Sequence, residues 1–294
     1  MRKREDRLPF CRPWIGEEEA EAVAEVLRSG WITYGPRTVE FERRFAELTG
    51  AEYAAAVSSG TAALHLILLA LGVGPGDEVI MPTLTFASDP NVVEFCGARP
   101  VFCDVDPRTL LMDVESAASL VTERTRAVIA VHYTGAPVDV EALAAALPSG
   151  GPAIIEDAAH AAGTELRGRH VGALARAGFF SFHPIKNVTA GEGGMITTND
   201  AALHERIRRL RYHGIDKDAW QRYGRRATGG YDVEYPGLKY NTTDIHSAVG
   251  LVQLDKLERA NARRAEIYRR YREALADVEG VRFPEDPPWE HTHA

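Results

Sequence analysis

The sequence predicts an α/β fold with a mostly parallel central sheet and helices on both faces. Short apolar runs at residues 54–57, 79–81, 101–102, 127–131, 153–155 and 179–182 read as buried strands. Helical stretches at 62–71, 138–147 and 201–212 alternate with them. Small, glycine-bearing or acidic clusters follow several of the strands, which is where sheets of this class carry their ligand loops. The strand runs are near-continuously apolar because a sheet covered by helices on both sides is buried on both faces.

Before the alternation, residues 17–28 set Val23, Val26 and Leu27 against glutamates, the pattern of an amphipathic helix. Thr38 stands where an N-cap would open a second helix over 39–48, and Gly50 stops it. After the alternation, residues 212–239 turn polar and aromatic, with Gly224, Gly229, Gly230 and Gly237, and read as a long functional loop. Asn241-Thr242-Thr243-Asp244 opens a long helix to about residue 276. Gly280-Val281-Arg282-Phe283 reads as a strand.

Composition narrows the function. With 294 residues and 45% hydrophobic content the chain can bury a sizeable core, which excludes global disorder. A net charge of −8 and a pI near 5.7 argue against a general basic surface for nucleic acid or anionic membrane. Anionic small molecules stay open, because a few local donors suffice for them. The three cysteines, Cys11, Cys96 and Cys103, make no CxxC pair and fit a reducing compartment. No run reaches the ~18 apolar residues that span a bilayer, and residues 8–13 are no signal-peptide core. The expectation is a cytoplasmic protein with no metal ligand set.

Three clusters could carry chemistry. Ser58-Ser59-Gly60-Thr61-Ala62 lies between a strand and a helix, where free backbone N–H groups attract a phosphate; the plainer reading is an ordinary N-cap. Ile154-Ile155-Glu156-Asp157 ends a strand in acid, with His160 three residues on. A carboxylate there can keep a pyridine nitrogen protonated, making the ring an electron sink, though it could also cap the next helix. His160 could touch the ring hydroxyl or be a core histidine. The third cluster, Phe179-Phe180-Ser181-Phe182-His183-Pro184-Ile185-Lys186-Asn187, puts a lysine among apolar and aromatic residues. Desolvation there frees its amine for Schiff-base chemistry. The glycines of Gly191-Glu192-Gly193-Gly194 let backbone pass close to a flat ligand.

Taken in order, the segments SSGTAALH, PTLTFASDPN, EDAAHA, SFHPIKN with GEGGMITT, and GLKYNTTDIHSAVGLVQL resemble the DegT/StrS family of nucleotide-sugar aminotransferases. The resemblance runs from Trp31 to the last residues. It implies a fold type I pyridoxal-phosphate enzyme. Lys186 would be the Schiff-base lysine, Asp157 the partner of the pyridinium nitrogen and His160 the neighbour of the ring hydroxyl. Phe86 would stack on the ring, while Ser59, Gly60, Thr61 and Ser181 hold its phosphate. Asn241 would reach the phosphate of the neighbouring subunit, implying a homodimer with shared sites. Thr33, His183, Tyr212 and Lys217 match substrate-binding positions, and the loop's arginines together with Lys217 could contact a diphosphate.

The resemblance further implies transamination of a nucleotide-diphosphate keto-sugar with L-glutamate as donor and 2-oxoglutarate as product. The loop segments look most like the type that forms UDP-4-amino-4-deoxy-L-arabinose, acting at C4. Residues 14–240 would be the large cofactor-binding domain. Residues 241–294, with 1–13, would be a small domain cut short of its usual length. Two other readings compete. A sugar dehydratase on the same scaffold is opposed by Lys186, since a histidine takes that place in that branch. A non-catalytic cofactor-binding regulator or inert homologue is opposed by the complete set of Asp157, Lys186 and the phosphate cup.

Overall fold

The structure, a computed structural model, describes residues 7, 9–215 and 231–292. Its centre is a seven-stranded sheet in the order β1-β9-β8-β5-β4-β2-β3. In chain order these are β1 Tyr53–Val57, β2 Glu78–Pro82, β3 Arg99–Cys103, β4 Thr125–Val131, β5 Ala153–Asp157, β8 Ala177–Ser181 and β9 Gly194–Thr198. The pairs β2–β3, β2–β4, β4–β5 and β5–β8 are parallel; β9 alone runs antiparallel to its two neighbours, β1 and β8. The mostly parallel sheet expected from the sequence is therefore present. Strand β9 is not among the strands expected from the sequence: only Met195 and Ile196 of Gly194-Met195-Ile196-Thr197-Thr198 are apolar.

Alternate residues of each strand feed different cores, as the period of two demands. Val79, Met81, Ala127, Ile129, Ile155, Phe179 and Ile196 pack on one face, with helices α3 Gly60–Ala70, α4 Ser88–Phe95 and α7 Ala201–Leu210. On the other face, Ile80, Val128, Ala130 and Ile154 pack near α5 Val114–Ser119 and α6 Val140–Ala146. Ala54, Ala56, Phe180 and Met195 pack there against α2 Pro36–Thr49. Four phenylalanines lock that contact: Phe45 lies 4.8 Å from Phe180 and Phe41 lies 5.1 Å from Phe182, ring centre to ring centre.

The N-terminal helices correct two expectations. Helix α1 spans Glu17–Ser29, but Leu27 is 56% exposed while Glu19 is buried. Glu19 closes the helix start by accepting from the Gly16 N–H at 2.8 Å, and Lys256 and Gln253 satisfy its other lone pairs. Thr38 is not an N-cap: α2 begins two residues earlier, with Gly35 as N-cap and Pro36 in the first turn. The cap comes instead from Asp244, whose carboxylate accepts from the N–H groups of Arg37 (3.1 Å) and Thr38 (2.9 Å) and from Thr38 Oγ1 (2.7 Å). Asp244 opens α8, Asp244–Leu275, which packs on α1 and α2 through its first half. Gly250 permits the close approach, since a Cβ there would sit 2.6 Å from the Phe41 ring.

Residues 280–283 form no strand. The pairing goes to β10 His291–Thr292, which joins β6 Glu165–Leu166 and β7 Arg169–His170 in a small antiparallel sheet. Backbone bonds explain the choice: Arg167 N–H donates to Glu290 C=O at 3.0 Å, and Glu165 N–H to Thr292 Oγ1 at 3.0 Å. Among the described residues no helix is long and apolar enough to cross a membrane.

Candidate active site

The carboxyl ends of β4, β5 and β8 meet the start of α3 around a cavity of about 480 Å³. Ser59, Gly60, Thr61 and Ser181, the candidate phosphate cup, line part of its wall. Ser59 caps α3, its Oγ accepting from the Ala62 N–H at 3.0 Å. The Ala63 N–H begins the helical ladder on the Ser59 C=O at 3.0 Å, so the Gly60 and Thr61 N–H groups ahead of it are the ones a helix N-terminus offers to an anion. Space is short here: a Cβ on Gly194 would lie only 2.5 Å from the Ser59 carbonyl oxygen, and one on Gly60 would fit tightly, 3.0 Å from the Ser181 Cβ. Thr61 and Ser181 border the same space.

Strand β5 finishes in Glu156 and Asp157, whose side chains face opposite sides of the sheet. Asp157 borders the cavity and is 6% exposed; its Oδ1 accepts from the Ala159 N–H at 2.9 Å. Burial raises its carboxyl well above the usual range, and neighbouring Asp89 adds to the rise. Glu156 faces away and is fully satisfied. It accepts from the N–H groups of Gly172, Leu174 and Ala175 at 2.8–2.9 Å and from His132 Nε2 at 3.0 Å. Since Val138 N–H donates to His132 Nδ1 at 3.0 Å, the proton of this imidazole is on Nε2.

Lys186 sits in a turn after β8, with its backbone N–H donating to His183 C=O at 2.9 Å. Burial lowers its ammonium below the ordinary lysine value, opposed by the charges of Asp157 and Asp89. His160 is pushed down to about 4, first by burial and then by Lys186, so it is neutral at physiological pH. Its ring lies 6.4 Å from that of Tyr133. Phe86 is no core residue: 74% exposed, it borders the cavity as an open aromatic face.

Of the residues singled out from the sequence, Ser59, Gly60, Thr61, Phe86, Asp157, His160, Ser181, His183 and Lys186 all border this cavity. Thr33, Tyr212 and Asn241 do not. Thr33 C=O accepts from the Asp244 N–H, the Tyr212 ring carries the Lys239 ammonium at 4.4 Å, and Asn241 bridges to Val57 and takes a hydrogen bond from Lys239. Lys217 lies outside the described residues. Arg211, at the head of the same run, is unavailable to a phosphate: it is buried, ion-paired to Glu42 at 2.5 Å and bonded to Ala56 C=O.

The structure adds Asp89, His132, Tyr133 and Glu192, which the sequence reading passed over. His132 and Tyr133 follow β4 directly, so the rule that pointed to Asp157 after β5 would have found them. Asp89 lies inside a helix and gives no such signal.

A phosphate cup, a buried carboxylate, an open aromatic face and a desolvated lysine around one cavity fit pyridoxal phosphate in donor chemistry. The DegT/DnrJ/EryC1/StrS aminotransferase family model matches residues 13–294. The chain belongs to that family. It is a pyridoxal-phosphate-dependent aminotransferase, of the class its solved neighbours represent. The aminotransferase TlmJ from Streptoalloteichus hindustanus is 38% identical with a TM-score of 0.90, over 98% of this chain and 76% of that one. A putative sugar aminotransferase, Spr1654 from Streptococcus pneumoniae in its PMP-form, is 36% identical with a TM-score of 0.86, over 92% and 73%. PseC from Helicobacter pylori, an aminotransferase involved in pseudoaminic acid biosynthesis, is 30% identical with a TM-score of 0.85, over 93% and 72%.

Proposed function

We propose that this aminotransferase moves an amino group from L-glutamate to the ketone of a sugar carried on a nucleotide diphosphate, at C4 of a UDP-linked sugar. The observation that carries the nucleotide-sugar reading is a second cavity of about 760 Å³ that shares Ile185 and Lys186 with the first. Its walls hold Arg12, Lys256, Arg259, Arg263 and Arg264 beside Trp14. Some of this charge is already used: Lys256 pairs with Glu18 and Glu19, Arg263 with Glu266, and Arg259 stacks on Trp14 at 4.3 Å. Arg264 has no carboxylate partner among the described residues, reaching only Asn261 Oδ1 and the Lys186 carbonyl. Burial lowers its guanidinium from the ordinary value. A diphosphate would supply the missing anion through charge-assisted hydrogen bonds.

Pyridoxal phosphate, when bound, supplies an electron sink. Ser59, Gly60, Thr61 and Ser181 hold its phosphate, Phe86 covers its ring and Asp157 keeps the ring nitrogen protonated. The Lys186 amine, uncharged at lower pH than a solvated lysine, would be the group that bonds the cofactor and, once displaced by the amino group of glutamate, would take the proton from the Cα of glutamate. Glutamate leaves as 2-oxoglutarate. The sugar ketone takes up the amino group in the second half-reaction, with His183 beside it. In a homodimer, Asn241 would extend from one subunit to the phosphate of the other. Free Cys11, Cys96 and Cys103 suit a cytoplasmic enzyme.

The test is the visible absorption of the loaded protein with and without L-glutamate, followed by a UDP-linked 4-keto-sugar. Bleaching by glutamate and recovery on adding the sugar, with the amine found by mass spectrometry, supports the reading. Recovery with 2-oxoglutarate but with no nucleotide keto-sugar would remove the sugar assignment.

A further inference from the structure

Asp89 sits on α4 and is 0% exposed, directly behind Asp157. Its carboxyl takes hydrogen bonds from Thr85 Oγ1 at 2.5 Å and Ser88 Oγ at 3.3 Å. The Asp89 and Asp157 carboxyls are also hydrogen-bonded to each other. Two ionised carboxylates offer four acceptors and no donor, so that contact needs a proton between them. Among the described residues neither carboxyl is in an ion pair. The charged or titratable groups around them are each other, Lys186 from the turn after β8 and, bordering the same cavity as Asp157, His132 and Tyr133 after β4, the neutral His160 after β5, His183 after β8 and Glu192 ahead of β9.

We propose that Asp89 and Asp157 form a carboxyl dyad sharing one proton, in which Asp89 is the positioning residue that holds Asp157 toward the ring nitrogen and makes cofactor binding respond to pH. This rests on the reading of Asp157 as the ring partner. In the cofactor-free protein the proton lies between the two carboxyls. With the pyridinium bound, its N–H becomes the donor to Asp157 and the dyad's proton stays on Asp89. The single negative charge of the dyad is then cancelled by the ring.

Asp89 is pushed up to about 6 and Asp157 is raised well above the usual carboxylate range, both chiefly by burial. A carboxyl whose folded value exceeds its unfolded value near 3.9 loses stability as pH rises between the two. The penalty on the empty protein is thus absent near pH 4 and full above about pH 6 for Asp89, and the raised Asp157 acts in the same direction.

The experiment uses the full chain freed of cofactor, with Asp89→Asn and Asp157→Asn. Melting is followed at pH 4.5 and 7.5, with and without pyridoxamine 5′-phosphate, a probe that does not bond to Lys186. Either variant should melt about 2–4 °C above the empty wild type at pH 7.5 and level with it at pH 4.5. Asp89→Asn should bind the probe about tenfold more weakly than wild type at pH 7.5, the equivalent of one pKa unit, and within threefold at pH 4.5. The infrared band of a protonated carboxyl should be present in the empty wild type at pH 7 and move in frequency in either variant, because the remaining carboxyl no longer shares its proton. Equal destabilisation by Asp89→Asn at both pH values, or no such band in the wild type, overturns the dyad. A dyad that passes these tests while Asp157→Asn binds the probe as wild type does leaves the dyad standing and removes Asp157 from the ring nitrogen.

Discussion

Glu156 and Asp157 are consecutive buried carboxylates on one strand, and they live in opposite conditions. Glu156 receives four hydrogen bonds, three from backbone N–H groups and one from a histidine whose other nitrogen is also occupied. Asp157 receives one backbone bond and otherwise faces a cavity and a second acid. A buried acid supplied with every donor it can use is part of the frame. One left short of donors in a cavity is waiting for a ligand to bring one. The strand's period of two lets adjacent residues take these two roles, because their side chains leave the sheet on opposite faces.

The sharpest way to break the comparison is to truncate each acid. Glu156→Ala orphans three buried N–H groups and His132, so unfolding free energy should fall by about 3–5 kcal/mol in denaturant titrations. Asp157→Ala should leave the fold in place and weaken pyridoxamine phosphate by about 100-fold, read by equilibrium dialysis at pH 7.5. A variant pair behaving the other way round would invert the two roles. Gly194→Ala tests the candidate phosphate cup: its Cβ meets the Ser59 carbonyl, and overpacking should cost about 1–3 kcal/mol together with some phosphate affinity. Arg264→Ala should raise KM for the nucleotide sugar about tenfold and that for glutamate far less, in steady-state assays. The smallest effect is expected from Thr38→Val, which removes one hydrogen bond to Asp244 and should lower stability by about 1 kcal/mol. Neutral His160 adds an expectation about pH: with its value near 4, it should contribute no step to the activity profile between pH 5 and 8.

Much of the site was legible because its parts obey local rules. Ser59-Gly60-Thr61 sits at a strand-to-helix turn, Asp157 at a strand end and Lys186 in an aromatic loop, and each position is visible from neighbours in the chain. Phe86 carried no such local sign and came only with the family resemblance. The misses have a common cause. Thr38 looked like a cap because an N-cap is judged from adjacent residues, whereas the acceptor that serves α2 is Asp244, 206 positions away. Of the positions helical period set as apolar in α1, Val26 is buried but Leu27 is exposed, and the polar Glu19 is buried too, held by Lys256 and Gln253 of α8. Residues 280–283 had strand composition, but it is His291–Thr292, further on, that pairs with β6.

By itself the sequence determined the α/β class and most of the alternation of strands and helices, and it placed the candidate cup, acid and lysine at or just after strand ends. These follow from short-range periodicity and from residue chemistry, which act within a few positions. Only the tertiary structure decided that β9 runs against its neighbours, that Asp89 stands behind Asp157 and that Lys186 opens onto two cavities at once. Those facts depend on which distant segments are brought into contact, and burial then sets how many charges the contact can hold.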